Sequence, residues 1–219
     1  MLLTPFALAD VAAQVSGPKE RFRFAVVPVT VDPLDFVTAA APLFASARYL
    51  ATPEGIRIGG VGTAWRAEAG GPRRFGQHEA AHAGRPVLPG EARMLLGFSF
   101  APDGATAEEW SGFASAEVTL PSVAVIDDGA RRVLVAVVPP GAEAGGVVSL
   151  LRSLEPAGPA RVPGYGDHSV YSVPSGAEWC AAVEEAVDAI RAGSLHKVVL
   201  ARSVVVKTEM TIEPFEVVH

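Results

Sequence analysis

The run Lys197-Val198-Val199-Leu200-Ala201-Arg202-Ser203-Val204-Val205-Val206-Lys207 constrains this chain more than any other stretch. Its β-branched residues favour an extended strand, and a helical pattern stands directly before it. Alternation places Lys197, Val199, Ala201, Ser203 and Val205 on one face, with His196, Val198, Leu200, Arg202, Val204 and Val206 on the other. Both faces are largely apolar, so the sequence predicts a central strand. A lysine at the mouth of such a strand has its stem packed and its ammonium at the rim of a pocket. Partial desolvation there makes it a usable base near neutral pH. A lysine that merely snorkels from a strand end gives the same pattern, and periodicity does not separate the two.

The rest of the chain supplies strands and helices around that run. Phe22 to Val31 reads as a strand, with Pro28 placing it at an edge or a bulge. Asp32 then caps a helix that has Pro33 at its first position and runs to about Phe44. Arg48 to Ala51 and Gly55 to Glu68 form a hairpin turning at Pro53-Glu54-Gly55. Strands follow at Arg93 to Phe100, Ala116 to Asp127 and Arg131 to Pro139, the last two joined by Asp127-Asp128-Gly129 in an antiparallel meander. Ala142 to Leu154 is a weak helix, and a breaker-rich loop begins at Glu155.

The strongest helix is Gly176 to Ala192. Ser175 and Glu178 form its capping box, and Gly193 stops it. Trp179, Val183, Ala186, Val187 and Ile190 make an apolar face expected to pack on the strand that carries Lys197. Cys180 lies in the same apolar pattern and reads as a small buried hydrophobe. At the far end, Glu213 to His219 begins like a helix, with Pro214 early and acids in the first turn, yet has no C-cap after barely a turn. The expectation is a chain cut inside that helix.

Two motifs invite other chemistry. Gly59, Gly60 and Gly62 do not follow the dinucleotide-binding register, and no helix follows them; close backbone approach or a bulge accounts for them. His78-Glu79-Ala80-Ala81-His82 matches the zinc-protease pattern. Gly76, Gly84 and Pro86 leave room for about two turns of helix with few apolar residues, which reads as a solvated surface helix without zinc.

Composition narrows the partners. A net charge of -6, with no basic cluster beyond Arg73-Arg74 and Arg131-Arg132, argues against nucleic acid or an anionic membrane surface. There is no run of 18 apolar residues and no basic leader, and Cys180 is the one cysteine, so a cytoplasmic protein is expected. With 219 residues, of which 49% are hydrophobic, the chain reads as a single domain, or most of one, over residues 1–219.

The block from Trp179 through Ile190 and Gly193 to Lys197-Val198-Val199-Leu200-Ala201-Arg202 resembles the signature of chorismate-utilising enzymes, most closely the isochorismate synthases. Ile58-Gly59-Gly60-Val61-Gly62 resembles that family's early glycine-rich strand. Leu96-Gly97-Phe98-Ser99-Phe100-Ala101-Pro102 resembles its G-G-F-x-F-D segment, with Ala101 where an aspartate is common, and Pro121 resembles its L-P-x-x segment. The resemblance covers nearly the whole chain but only about the first half of the family's length. It implies an α+β fold of mostly antiparallel sheet with flanking helices. It also implies Lys197 as the general base that activates water against chorismate, and Mg²⁺ in the complete enzyme, with the metal ligands and acid glutamate in the other half. A product serving menaquinone or siderophore biosynthesis would follow. The resemblance leaves salicylate synthase, or a non-catalytic scaffold of the same fold, as alternatives. A half-domain of this kind is expected to be inactive alone and to self-associate through exposed sheet edges.

Overall fold

The computed structural model describes residues 3–71, 84–100, 110, 112–155, 166–215 and 217. They fall into two compact units, one formed essentially by residues 1–160 and the other by 161–218. The His78–His82 pattern, Ala101 and Pro102 lie outside the described residues.

The first unit is built on a five-stranded antiparallel sheet. Its strands are β1 (Arg23–Pro28), β2 (Ala47–Ala51), β3 (Arg57–Val61), β7 (Val123–Asp127) and β8 (Arg132–Val138), in the order β1-β8-β7-β3-β2. A second antiparallel sheet has the order β4-β6-β5, from β4 (Trp65–Ala69), β5 (Leu95–Phe98) and β6 (Ala116–Leu120). Every residue of β7 is buried, and so are the last five of β8, as expected for central strands covered on both faces.

Alternation divides the larger sheet cleanly. Ile58, Ala124, Ile126, Val135 and Val137 gather with Leu120, and Trp65 and Leu95 of the smaller sheet pack against them. On the opposite face lie α1 (Pro5–Gln14) against β1, α2 (Pro33–Ala40) against β3 and β7, and α3 (Ala144–Ser153) against α1 and β8. The fold class is therefore α+β with antiparallel sheets and flanking helices, as the sequence predicts.

Local chemistry explains most boundaries. Asp32 accepts the Leu34 N–H at 2.9 Å and Pro33 opens α2, which gives way to a 3₁₀ turn at Ala41–Leu43 rather than continuing to Phe44. Each of the two longest predicted strands is interrupted. At Gly62 φ is +68°, and an added Cβ would stand 2.8 Å from both a Phe44 ring carbon and the Ser122 hydroxyl, so the chain turns there and β3 and β4 join different sheets. Pro121, which has no N–H to give a ladder, separates β6 from β7 in the same way.

β1 is an edge strand, as Pro28 foretells. Its free edge is covered by Gln14, whose carboxamide accepts the Val26 N–H at 2.9 Å and donates to the Val26 carbonyl at 3.2 Å.

The second unit holds β9 (His168–Val173) paired antiparallel with β10 (Ser203–Thr208), and α4 (Gly176–Arg191). The capping box of α4 is complete: the Ser175 hydroxyl accepts the Glu178 N–H, and the Glu178 carboxylate accepts the Ser175 N–H. Pro214 and Phe215 lie in a turn.

Candidate functional site

Lys197 does not lie in a central strand. β10 starts only at Ser203, six residues later, and every residue from Arg191 to Arg202 is exposed. The reason is in the register. Ser203 pairs with Val173, and the next residue of the partner is Pro174, which carries no N–H, followed by the helix cap Ser175. Among the described residues no strand stands opposite Arg202 to continue the ladder, so Lys197 to Arg202 run without strand pairing.

Two further expectations change with it. The apolar stripe of α4 buries none of its members among the described residues: Val183, Val187 and Ile190 are 37–40% exposed, and Trp179 and Ala186 are half-buried. Cys180 is exposed rather than buried. Helical periodicity shows which side of a helix is apolar, whereas burial needs an opposing surface that the periodicity does not contain.

What the fold does bring together are the two ends of the signature. The segment leaving α4 is held at its start by the Ala189 carbonyl, which accepts the Ser194 hydroxyl at 2.8 Å, the Ser194 N–H at 3.0 Å and the Leu195 N–H at 3.3 Å. At its end the Arg202 guanidinium lies over the Trp179 ring, 5.8 Å from the centroid. Lys197 sits between these two attachments. Lys207 is elsewhere, inside β10 with its ammonium 5.3 Å from the Tyr171 centroid.

In the first unit the glycine-rich strand behaves as a packing device. A Cβ on Gly59 would collide with the Pro33 carbonyl in the first turn of α2, and one on Gly60 would stand 2.8 Å from the Pro121 ring. The signature glycines thus seat α2 and the Pro121 corner directly on the backbone of β3.

Two charged clusters escaped the sequence reading. Arg57, Asp127 and Arg132 stand side by side across β3, β7 and β8, and Asp127 receives Arg57 at 2.8 Å and Arg132 at 2.7 Å. Asp32 joins them through Arg57 at 2.6 Å. The bonds from Arg132 and from the Gly129 N–H hold the Asp127 carboxyl down at about 2. The second cluster centres on Glu117 of β6, which takes Arg48 of β2 and the fully buried Thr119 at 2.6 Å each, and Arg66 of β4 as well. Burial alone would raise the Glu117 carboxyl, but the bonds from Thr119 and Arg48 and the two guanidinium charges outweigh it and keep it below the usual carboxylate range. This cluster ties the two sheets together. Cross-strand register brings each set together, and register was not visible before strand order was known.

No helix is long and apolar enough to cross a membrane among the described residues. Among the described residues no three or more His, Cys, Asp or Glu side chains gather so as to hold a metal ion.

Comparison with known proteins agrees with the signature. The salicylate biosynthesis isochorismate synthase of Pseudomonas aeruginosa is 34% identical over 146 residues, a match that takes in 61% of this chain and 29% of that protein. The chain therefore aligns with less than a third of that relative's length. The profile of the family described as chorismate binding enzyme matches residues 11–219, nearly all of the sequence, and the chain belongs to that family.

Proposed function

We propose that the chain is part of an isochorismate synthase acting on chorismate. Lys197 takes a proton from a water molecule as that water attacks ring C2; the ring double bonds shift, and the C4 hydroxyl leaves as water after protonation by a carboxylic acid. The family match over residues 11–219 carries this reading. Similarity to the Pseudomonas isochorismate synthase favours isochorismate as the product. Lys197 is exposed among the described residues, so in this reading the partial desolvation that a lysine base needs comes from residues other than those described. Lysine rather than arginine suits the role, because an ammonium gives up its proton and a guanidinium does not.

In this reading the two units belong to one chorismate-binding domain of a cytoplasmic enzyme that supplies isochorismate to menaquinone or siderophore biosynthesis. The carboxylates that would hold Mg²⁺ and the acid at C4 come, in this reading, from residues other than those described.

The test is a product assay with chorismate, applied to the 219-residue chain and to the complete enzyme. The complete enzyme is expected to form isochorismate, and the chain alone neither to form it nor to bind Mg²⁺ tightly. Salicylate and pyruvate from the complete enzyme would assign a salicylate synthase. No product from it would leave a non-catalytic scaffold, and isochorismate from the chain alone would overturn the division of labour proposed here.

A further inference from the structure

The contact between Arg202 and Trp179 joins a residue after β9 to one just before β10, across the whole segment that carries Lys197. Ala189 and Trp179 are about 15 Å apart along α4, at about 1.5 Å per residue. The chain from Leu195 to Arg202 can extend to about 23 Å at about 3.3 Å per residue. The segment is therefore longer than the distance it bridges. Its hydrogen bonds to the Ala189 carbonyl secure only the near end. Without a second attachment the slack would let Lys197 move over several ångströms.

Charge alone does not account for Arg202 being there. Trp179 is in the first turns of α4, where the helix dipole disfavours a cation, and the nearby Glu178 carboxylate is engaged by the Ser175 N–H. The guanidinium is planar and delocalised, and a half-buried indole is the surface it stacks on best.

We propose that Arg202, laid over the Trp179 ring, is a positioning residue that fixes the Lys197-bearing segment along α4. The purpose of the clamp rests on Lys197 being the base, but its existence does not. Arg202 touches no reacting atom in this scheme; it sets where the Lys197 amine stands.

The test uses the 219-residue chain and two readouts at one fixed pH: backbone ¹⁵N order parameters over residues 195–202, and competitive labelling of Lys197 with an amine-reactive anhydride, referred to Lys207 in the same sample. Arg202→Met and Trp179→Leu are each expected to lower those order parameters and to alter Lys197 labelling about two- to fivefold, the population shift an exposed cation–π contact supports. The double variant is expected to add little to either single one, and Arg202→Lys to retain part of the effect. Wild-type order parameters and labelling in both single variants, fully additive effects in the double, or an equal change at Lys207 would each overturn the clamp. In the complete enzyme the same variants are expected to lower kcat more than they raise KM. Full turnover by a Lys197→Ala enzyme would remove the base assignment while leaving the relaxation and labelling results standing.

Discussion

Lys197 is the residue on which the proposed chemistry turns. In the complete enzyme Lys197→Ala is expected to lower kcat by about 10² to 10⁴, the usual share of general acid–base catalysis, with chorismate binding nearly unchanged. Lys197→Arg is expected to give no rescue. Lys207→Ala is expected to cost little, since that lysine is committed to β10 and to the Tyr171 ring. Near-normal turnover of the alanine variant, measured as isochorismate formed, would make Lys197 a structural residue. Residues whose roles are settled within a few positions along the chain were legible beforehand. Asp32 and Ser175 cap as expected because a side chain reaches only the next turn, and Gly59 and Gly60 allow close approach because no other residue lacks a Cβ. Cys180 and Lys197 were misplaced because their exposure depends on surfaces that neither residue's own neighbourhood encodes.

The β7–β8 hairpin shows the same distinction among elements. Its turn at Asp127-Asp128-Gly129 was legible: Gly129 has φ +83°, and Asp128 accepts the Ala130 and Arg131 N–H groups. Its ion-pair network was not, since Arg57 arrives from β3 through strand order alone. The network sets an acid limit on stability. The Asp127 carboxyl titrates at about 2 in the fold against an ordinary value of 3.8, so on acidification the unfolded chain takes up the proton first. The stabilisation is complete above about pH 5 and is lost as the pH falls from there toward 2. Asp127→Asn is expected to cost on the order of 1–2 kcal/mol at neutral pH, with variant and parent stabilities converging near pH 2. Urea denaturation at several pH values measures this, and parallel acid limbs in the two proteins would refute it. Strand breaks at Gly62 and Pro121 were half-legible, because glycine and proline mark a bend but do not say that the chain changes sheets there.

The two units of the molecule differ in how much they bury. The first carries the whole described core, whereas no described residue of the second is buried; Val199 is 80% exposed, and Val170, Val204 and Val206 are about half exposed. A helix and a strand pair without a core are marginal in water, and apolar surface on this scale attracts other apolar surface. The 219-residue chain is expected to bind an environment-sensitive hydrophobic dye and to self-associate with rising concentration. Serine at Val199, Val204 and Val206 is expected to reduce both without altering the melt of the first unit. A dye-silent monomer at all concentrations would contradict it. The antiparallel α+β class was legible from turn chemistry and strand pattern. The edge position of β1 has one more consequence, in the order of events during synthesis. β1 is made early, yet its ladder partner is β8, with Arg23 opposite Val138 and more than a hundred residues of chain between them. The β7–β8 hairpin closes across a short turn, while β1 pairs only after the ribosome has released Val138, so the first strand to emerge is among the last to be paired. Through that interval the Gln14 carboxamide and α1, made just before β1, can already cover its outer edge and one face while the edge toward β8 waits, which gives the N-terminal helix a duty as an intramolecular escort.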